Sequence, residues 1–196
     1  TCQAARPTDG AAASGRSLDR GLIRDWLIIG PFKVTTSAED LAREQIPDEP
    51  SLAPNEGDKL GDLAWQRFEG QKKPDYELWG TTQLEWIDPG KALGFKPNAM
   101  AYACTYLYAK REGTAVMVVD HGYGLKVWLN GAVVYERADR GHGLGSYVGI
   151  SRQKQDLVHY HSPKFELALK QGWNRLLVKV SSAAAKSWRE MKFTAR

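Results

Sequence analysis

The sequence predicts an all-β protein built as an antiparallel β-sandwich, and three observations carry that prediction. In Gly124-Leu125-Lys126-Val127-Trp128-Leu129-Asn130-Gly131-Ala132-Val133-Val134-Tyr135, apolar residues alternate on both sides of an Asn-Gly pair, the strongest short-range signal for a two-residue β-hairpin. The other apolar segments are short and separated by turn residues, with no helical pattern longer than about ten residues between them, which argues against a parallel βαβ sheet. Seven Trp, eight Tyr and nineteen Gly against three Met and two Cys describe a turn-rich, aromatic β domain rather than a helical bundle.

Taken in order, residues 1–18 are rich in Ala, Gly, Ser and Thr without hydrophobic period, so a flexible linker is expected there and one sandwich domain over 19–196. Residues 22–32 read as a first strand, ended by Gly30-Pro31 because proline cannot donate to a ladder. The chain then turns polar over 36–62. Residues 38–45 can form one or two helical turns, after which Pro47, Pro50, Pro54 and Gly57 forbid anything regular for long. Strands are expected at 63–68, 78–87, 100–108, 114–119, 125–135, 165–169, 175–180 and 192–195.

Asn130 and Gly131 both tolerate the positive φ of a type I′ turn, and the turn sets the register: Leu129 faces Ala132 and Val127 faces Val134. Those four then share the core face. Lys126, Trp128, Val133 and Tyr135 share the other, where the two large aromatics are either covered by another part of the chain or displayed as an apolar platform.

A formal net charge of +4 at 196 residues is mildly basic, and its cations are interleaved with acids. A nucleic-acid binder concentrates positive charge on one face, so nucleic acid is not an expected partner; an acidic polysaccharide stays open. No apolar run approaches the roughly 18 residues that span a bilayer. Cys104 lies in the apolar run Ala101-Tyr102-Ala103-Cys104-Thr105-Tyr106-Leu107-Tyr108, where a buried structural thiol is expected. Cys2 resembles the lipidated first residue of a bacterial lipoprotein, although Thr1 before it does not fit a mature one.

Several segments carry a resemblance: Asp25-Trp26-Leu27-Ile28-Ile29-Gly30-Pro31-Phe32, Ala101-Tyr102 opening a strand, the run from Gly124 to Gly131, and Leu169-Lys170-Gln171-Gly172-Trp173-Asn174-Arg175-Leu176-Leu177-Val178-Lys179-Val180. Together they resemble a galactose-binding-like jelly roll, similar to the sugar-binding domain of family-two glycoside hydrolases and to accessory domains of exported bacterial carbohydrate-active proteins. The resemblance implies a non-catalytic module, secreted, periplasmic or at the cell surface, that binds a polysaccharide or packs against a catalytic or other domain of a larger protein. Trp188 resembles the aromatic that commonly closes this fold. Where the family carries two acids and a glycine before the hairpin, this chain has Asp120-His121-Gly122-Tyr123-Gly124, so a site using both acids is not carried over.

The long segment 137–163 is the natural place for ligand-binding residues on a rigid β scaffold. Arg137, Asp139, Arg140, His142 and Tyr147 have the chemistry to hydrogen-bond sugar hydroxyls or pair with a carboxylate, Tyr123 can stack on a pyranose face, and an exposed Trp128 would extend the platform. The plainer reading is a solvated, glycine-rich loop. Trp26, Trp65 and Trp173 are assigned to packing, while Trp79 and Trp86 stay with Trp128 as platform candidates. His159 and His161 flank Tyr160 on one side of a strand, without an identifiable third metal ligand. No cofactor is expected; a structural calcium would use oxygen ligands such as Asp120 or Asp139. Glu85, Asp88, Glu136 and Glu166 sit at strand ends as ordinary surface acids, and Ser146, Ser151 and Ser162 lie in no nucleophile elbow, so no catalytic residue is assigned.

Overall fold

The structure is a computed structural model that describes residues 23–34, 37–70, 87–94, 98–138, 163–182, 191 and 193–195. The linker 1–18, residues 78–86 of the strand expected at 78–87, Cys2, Trp79, Trp86, Trp188, His159 and His161 lie outside them.

The described residues form an all-β antiparallel sandwich. Eleven strands are present: β1 (Asp25–Lys33), β2 (Lys59–Leu60), β3 (Leu63–Ala64), β4 (Gln66–Glu69), β5 (Ala99–Ala109), β6 (Gly113–His121), β7 (Leu125–Leu129), β8 (Ala132–Arg137), β9 (Lys164–Leu169), β10 (Gly172–Ser181) and β11 (Phe193–Ala195). Two short α-helices accompany them, α1 (Ser37–Ala42) and α2 (Pro89–Leu93), with a 3-10 turn over Glu49–Ser51. A six-stranded sheet runs β4-β1-β5-β10-β7-β8, a three-stranded sheet runs β11-β6-β9, and β2 and β3 pair separately.

Alternation places Ala101, Ala103, Val127, Leu176, Val178 and Val180 on the inner face of the large sheet, against Met117, Val119, Leu167, Phe193 and Ala195 of the small one. Trp26 meets Phe193 edge to face across this core, with centroids 5.1 Å apart. Asn174 is buried but satisfied: its Oδ1 accepts from Lys170 N and Asn130 Nδ2, each at 2.9 Å, and its Nδ2 donates to Lys170 O at 2.8 Å. That network joins the β9–β10 turn to the β7–β8 turn.

Four departures from the sequence expectation have local causes. Pro31 does not end β1; the register with β5 shifts between Ile29 and Phe32, and this bulge takes the proline out of the ladder while the strand continues to Lys33. Gly30 sits there at φ 144, where a Cβ would lie 2.9 Å from Met100 O, so the position admits only glycine. The strand expected over 63–68 is two strands, because Trp65 bonds out of line with the loop, its N–H to Asp58 O and its carbonyl to Gly57 N. Asp88 is buried at the start of α2 rather than a surface acid.

The fourth departure concerns the hairpin. Asn130 (φ 52) and Gly131 (φ 91) form the expected turn, and Leu129 faces Ala132. Beyond Trp128↔Val133 the register slips, so Val127 faces Tyr135 instead of Val134. The bulge turns Tyr135 to the inner side, where its ring stacks on Phe165 of β9 at 5.2 Å. The expected sharing of a face by Tyr135 and Trp128 is therefore corrected.

Gly131 also packs against Pro50, whose carbonyl oxygen would lie 3.0 Å from an added Cβ. Gly131→Ala combines that contact with the strain of a positive φ, and thermal melts are expected to show a loss of about 1–2 kcal/mol.

Candidate functional site

Ile29, Met100, Tyr102, Cys104, Tyr106, Trp128 and Leu177 line the outer face of the large sheet, and they are roofed by Val34, Ile46 and Trp65, with Leu52, Leu60 and Leu63 at the margin. The roof is Val34 together with segment 37–66, which holds only short elements. Trp128 is consequently 2% exposed: of the two alternatives the chain's own cover is the one found, so Trp128, a ligand-binding candidate only if displayed, offers no ring face to a ligand. Lys126 runs over the same ring at 5.3 Å and pairs with Glu136 at 3.0 Å.

A polar clasp holds the roof down. The Lys179 ammonium donates to Glu49 Oε1 at 2.9 Å, to Arg43 O at 2.6 Å and to Leu41 O at 3.3 Å, and the Tyr102 hydroxyl donates to the same Glu49 oxygen. Glu49 Oε1 also accepts from the Gln45 N–H at 2.8 Å. Arg175 adds a second tie, donating from Nη1 to Ser51 O at 2.7 Å and from Nη2 to Pro50 O. Burial pulls the Lys179 pKa down, and Glu49 only partly opposes this. Burial and the adjacent Glu49 carboxylate both push the Tyr102 hydroxyl up, while burial pushes the Cys104 thiol up to about 12. With Lys179 fully enclosed, this cluster is a buried structural tie.

One end of the sandwich gathers part of the expected site. Arg137, half-buried at the end of β8, faces Leu125 across the ladder, and Tyr123 lies two residues before Leu125. Two residues 14 apart in sequence are thus brought to one end of the β7–β8 ribbon, from which the chain departs into 139–162. His121 braces that end. Its Nδ1 faces the Tyr123 carbonyl, which can only accept, so the ring proton sits there and Nε2 accepts from the Tyr135 hydroxyl at 2.9 Å. The His121 imidazole is a buried brace between β6 and β8. Asp139, Arg140, His142 and Tyr147 lie outside the described residues. Among the described residues no three His, Cys, Asp or Glu side chains cluster as metal ligands.

The Glu49–Lys179–Tyr102 clasp is the feature that sequence reasoning missed. Its one signal was a lysine between Val178 and Val180, inside a strand whose other positions alternate cleanly into the core.

The fold defines the class, an antiparallel all-β sandwich. No known family profile matches the chain, and no curated protein matches it. Similar solved structures include the crystal structure of a β-glucosidase from Kluyveromyces marxianus in complex with glucose, at TM-score 0.35 and 13% identity over 86% of this chain and 15% of that one. A β-glycosidase from Bacteroides vulgatus aligns at TM-score 0.43 and 14% identity over 88% of this chain and 19% of that one. The GH31 α-xylosidase of Xanthomonas citri aligns at TM-score 0.28 and 10% identity over 50% of this chain and 11% of that one. The chain thus spans under a fifth of each of these enzymes. Among the described residues, no helix is long and apolar enough to cross a membrane.

Proposed function

We propose that the chain is a non-catalytic, galactose-binding-like jelly-roll module that binds a polysaccharide within an exported carbohydrate-active protein. The observation that carries this reading is that Tyr123, half-buried beside the outer cluster, and Arg137, half-buried opposite Leu125, stand at the same end of the β7–β8 ribbon, the end from which segment 139–162 departs. A ring for a pyranose face and a guanidinium for hydroxyls or a carboxylate are groups that serve sugar binding, and their presence at one end of a β scaffold supports the reading. Asp139, Arg140, His142 and Tyr147 complete the proposed site, with calcium as a structural ion if one is held. Export, and a lipid anchor at Cys2, belong to the same proposal.

Affinity electrophoresis of the whole chain against neutral and acidic polysaccharides, with and without EDTA, tests it. Retardation is expected on at least one glycan, and Tyr147→Ala and Arg137→Ala are each expected to weaken it about tenfold, or ~1.4 kcal/mol. Loss of retardation in EDTA would place calcium in the site. The buried state of Trp128 favours a second reading, a structural accessory domain that packs against a partner domain without binding sugar. Absence of retardation on every glycan would select that reading over the first.

A further inference from the structure

At the opposite end of the large sheet, we propose a second binding site, for an acidic oligosaccharide of the uronate class, built on Tyr108 and Trp173. The two residues face each other directly across β5 and β10, with ring centroids 5.2 Å apart and planes at 68°. Tyr108 is 38% exposed, one of three large apolar side chains displayed by the described residues, while Trp173 is half-buried against the outer cluster. One ring is therefore anchored and holds the other in place.

The roof over the outer face stops one step short of them. Its last ties are the Tyr106 hydroxyl to Pro54 O at 3.5 Å and Arg175 Nη1 to Ser51 O at 2.7 Å. Tyr106 and Arg175 each stand two residues from the pair along their own strand, on the same face. The aromatic pair is thus a continuation of the buried aromatic row that the cover leaves open to solvent.

The charge around it selects the ligand. The β5–β6 and β9–β10 turns meet beside the pair, joined by Gln171 Nε2 donating to Lys110 O at 3.3 Å. They present Lys110, Arg111 and Lys170, all exposed, against the single carboxylate Glu112. None of the three cations is in an ion pair among the described residues. Stacking needs only the C–H face of a pyranose ring, so it is tolerant of sugar identity. Three cations beside the ring favour a carboxylate on that sugar, in line with the chain's basic balance. From Ala101, level with the Arg137 end, to Tyr108 the strand advances roughly 23 Å at ~3.3 Å per residue, so this site is separate from the one proposed above.

The test titrates the full chain with an oligogalacturonate, and with the neutral galactan oligomer of equal length, following tryptophan fluorescence. The expected result is binding of the acidic oligomer alone, weakened about tenfold or more by Tyr108→Ala and by about twofold to fivefold for each of Lys110→Gln and Lys170→Gln, and reduced by added salt. Tyr147→Ala should leave it unchanged. Tyr108 is exposed, so its alanine variant is expected to fold, and circular dichroism checks that directly. Binding that survives Tyr108→Ala overturns the proposal, whether Tyr147→Ala then removes it, which assigns it to the first site, or salt alone removes it, which reduces it to charge attraction. Equal binding of the neutral oligomer overturns the acidic assignment, and absence of oligogalacturonate binding overturns the site without touching the polysaccharide reading above.

Discussion

Lys179→Met is expected to cost about 3–5 kcal/mol of unfolding free energy, the penalty for breaking a buried ion pair by removing one partner. The amine leaves behind a Glu49 carboxylate that is almost fully enclosed, together with the Leu41 and Arg43 carbonyls it served. Methionine fills the volume of the lysine stem, so the loss reports the orphaned polar groups rather than a cavity. Glu49→Gln is expected to cost less, because the ammonium keeps two carbonyl acceptors and the amide oxygen can still accept from Tyr102. Urea denaturation of both variants measures the order. A Lys179→Met midpoint equal to that of the unaltered chain would show that the roof holds without the Lys179–Glu49 tie.

The clasp gives the outer face its present role. Tyr102, Trp128 and Leu177 would form an apolar surface far too large to leave in water, and segment 37–66, built of short elements, has little regular structure to hold its own place. Its apolar residues are few, so the polar ties set where it sits: Glu49 onto Lys179 and Tyr102, and the Pro50 and Ser51 carbonyls onto Arg175. The cover thus buries the middle of the outer face and stops short of Tyr108 and Trp173.

What the sequence made legible was local. The Asn-Gly turn, the alternation of Leu176, Val178 and Val180, and the burial of Cys104 and Trp26 each follow from a few adjacent residues. What it hid depends on partners far along the chain. The bulge at Val127 forms because Tyr135 reaches His121 and Phe165 on other strands, and nothing in Val133-Val134-Tyr135 announces that. Whether Trp128 was displayed or covered turned on a segment of irregular backbone whose key tie joins Glu49 to Lys179, 130 positions apart. The candidate site was legible only as residue types: Tyr123 and Arg137 are brought to one end, while Trp128 is removed from it by a cover that periodicity cannot see.

Cys104 makes stability fall on the alkaline side. Burial raises its thiol from the ordinary 9.0 to about 12, so above pH 9.0 the unfolded chain releases a proton that the folded chain keeps. The folded state then binds more protons than the unfolded one, and the unfolding free energy drops as pH rises. The contribution is intact below about pH 9 and is lost as pH climbs toward about 12, at roughly 1.4 kcal/mol per unit and roughly 4 kcal/mol in all. Tyr102, also raised, acts in the same sense, while Lys179, lowered by burial, acts in the opposite one, so the whole-protein profile mixes all three. Cys104→Ala isolates the thiol, since both other groups and Cys2 are common to the two proteins. The stability difference between the unaltered chain and the variant, measured by urea denaturation, is expected to stay constant up to about pH 9 and then move by about 2 kcal/mol in the variant's favour by about pH 10.5. Parallel profiles across that range would mean that the thiol ionises as readily in the folded protein as in the unfolded chain, and that the outer cluster around it is open to water.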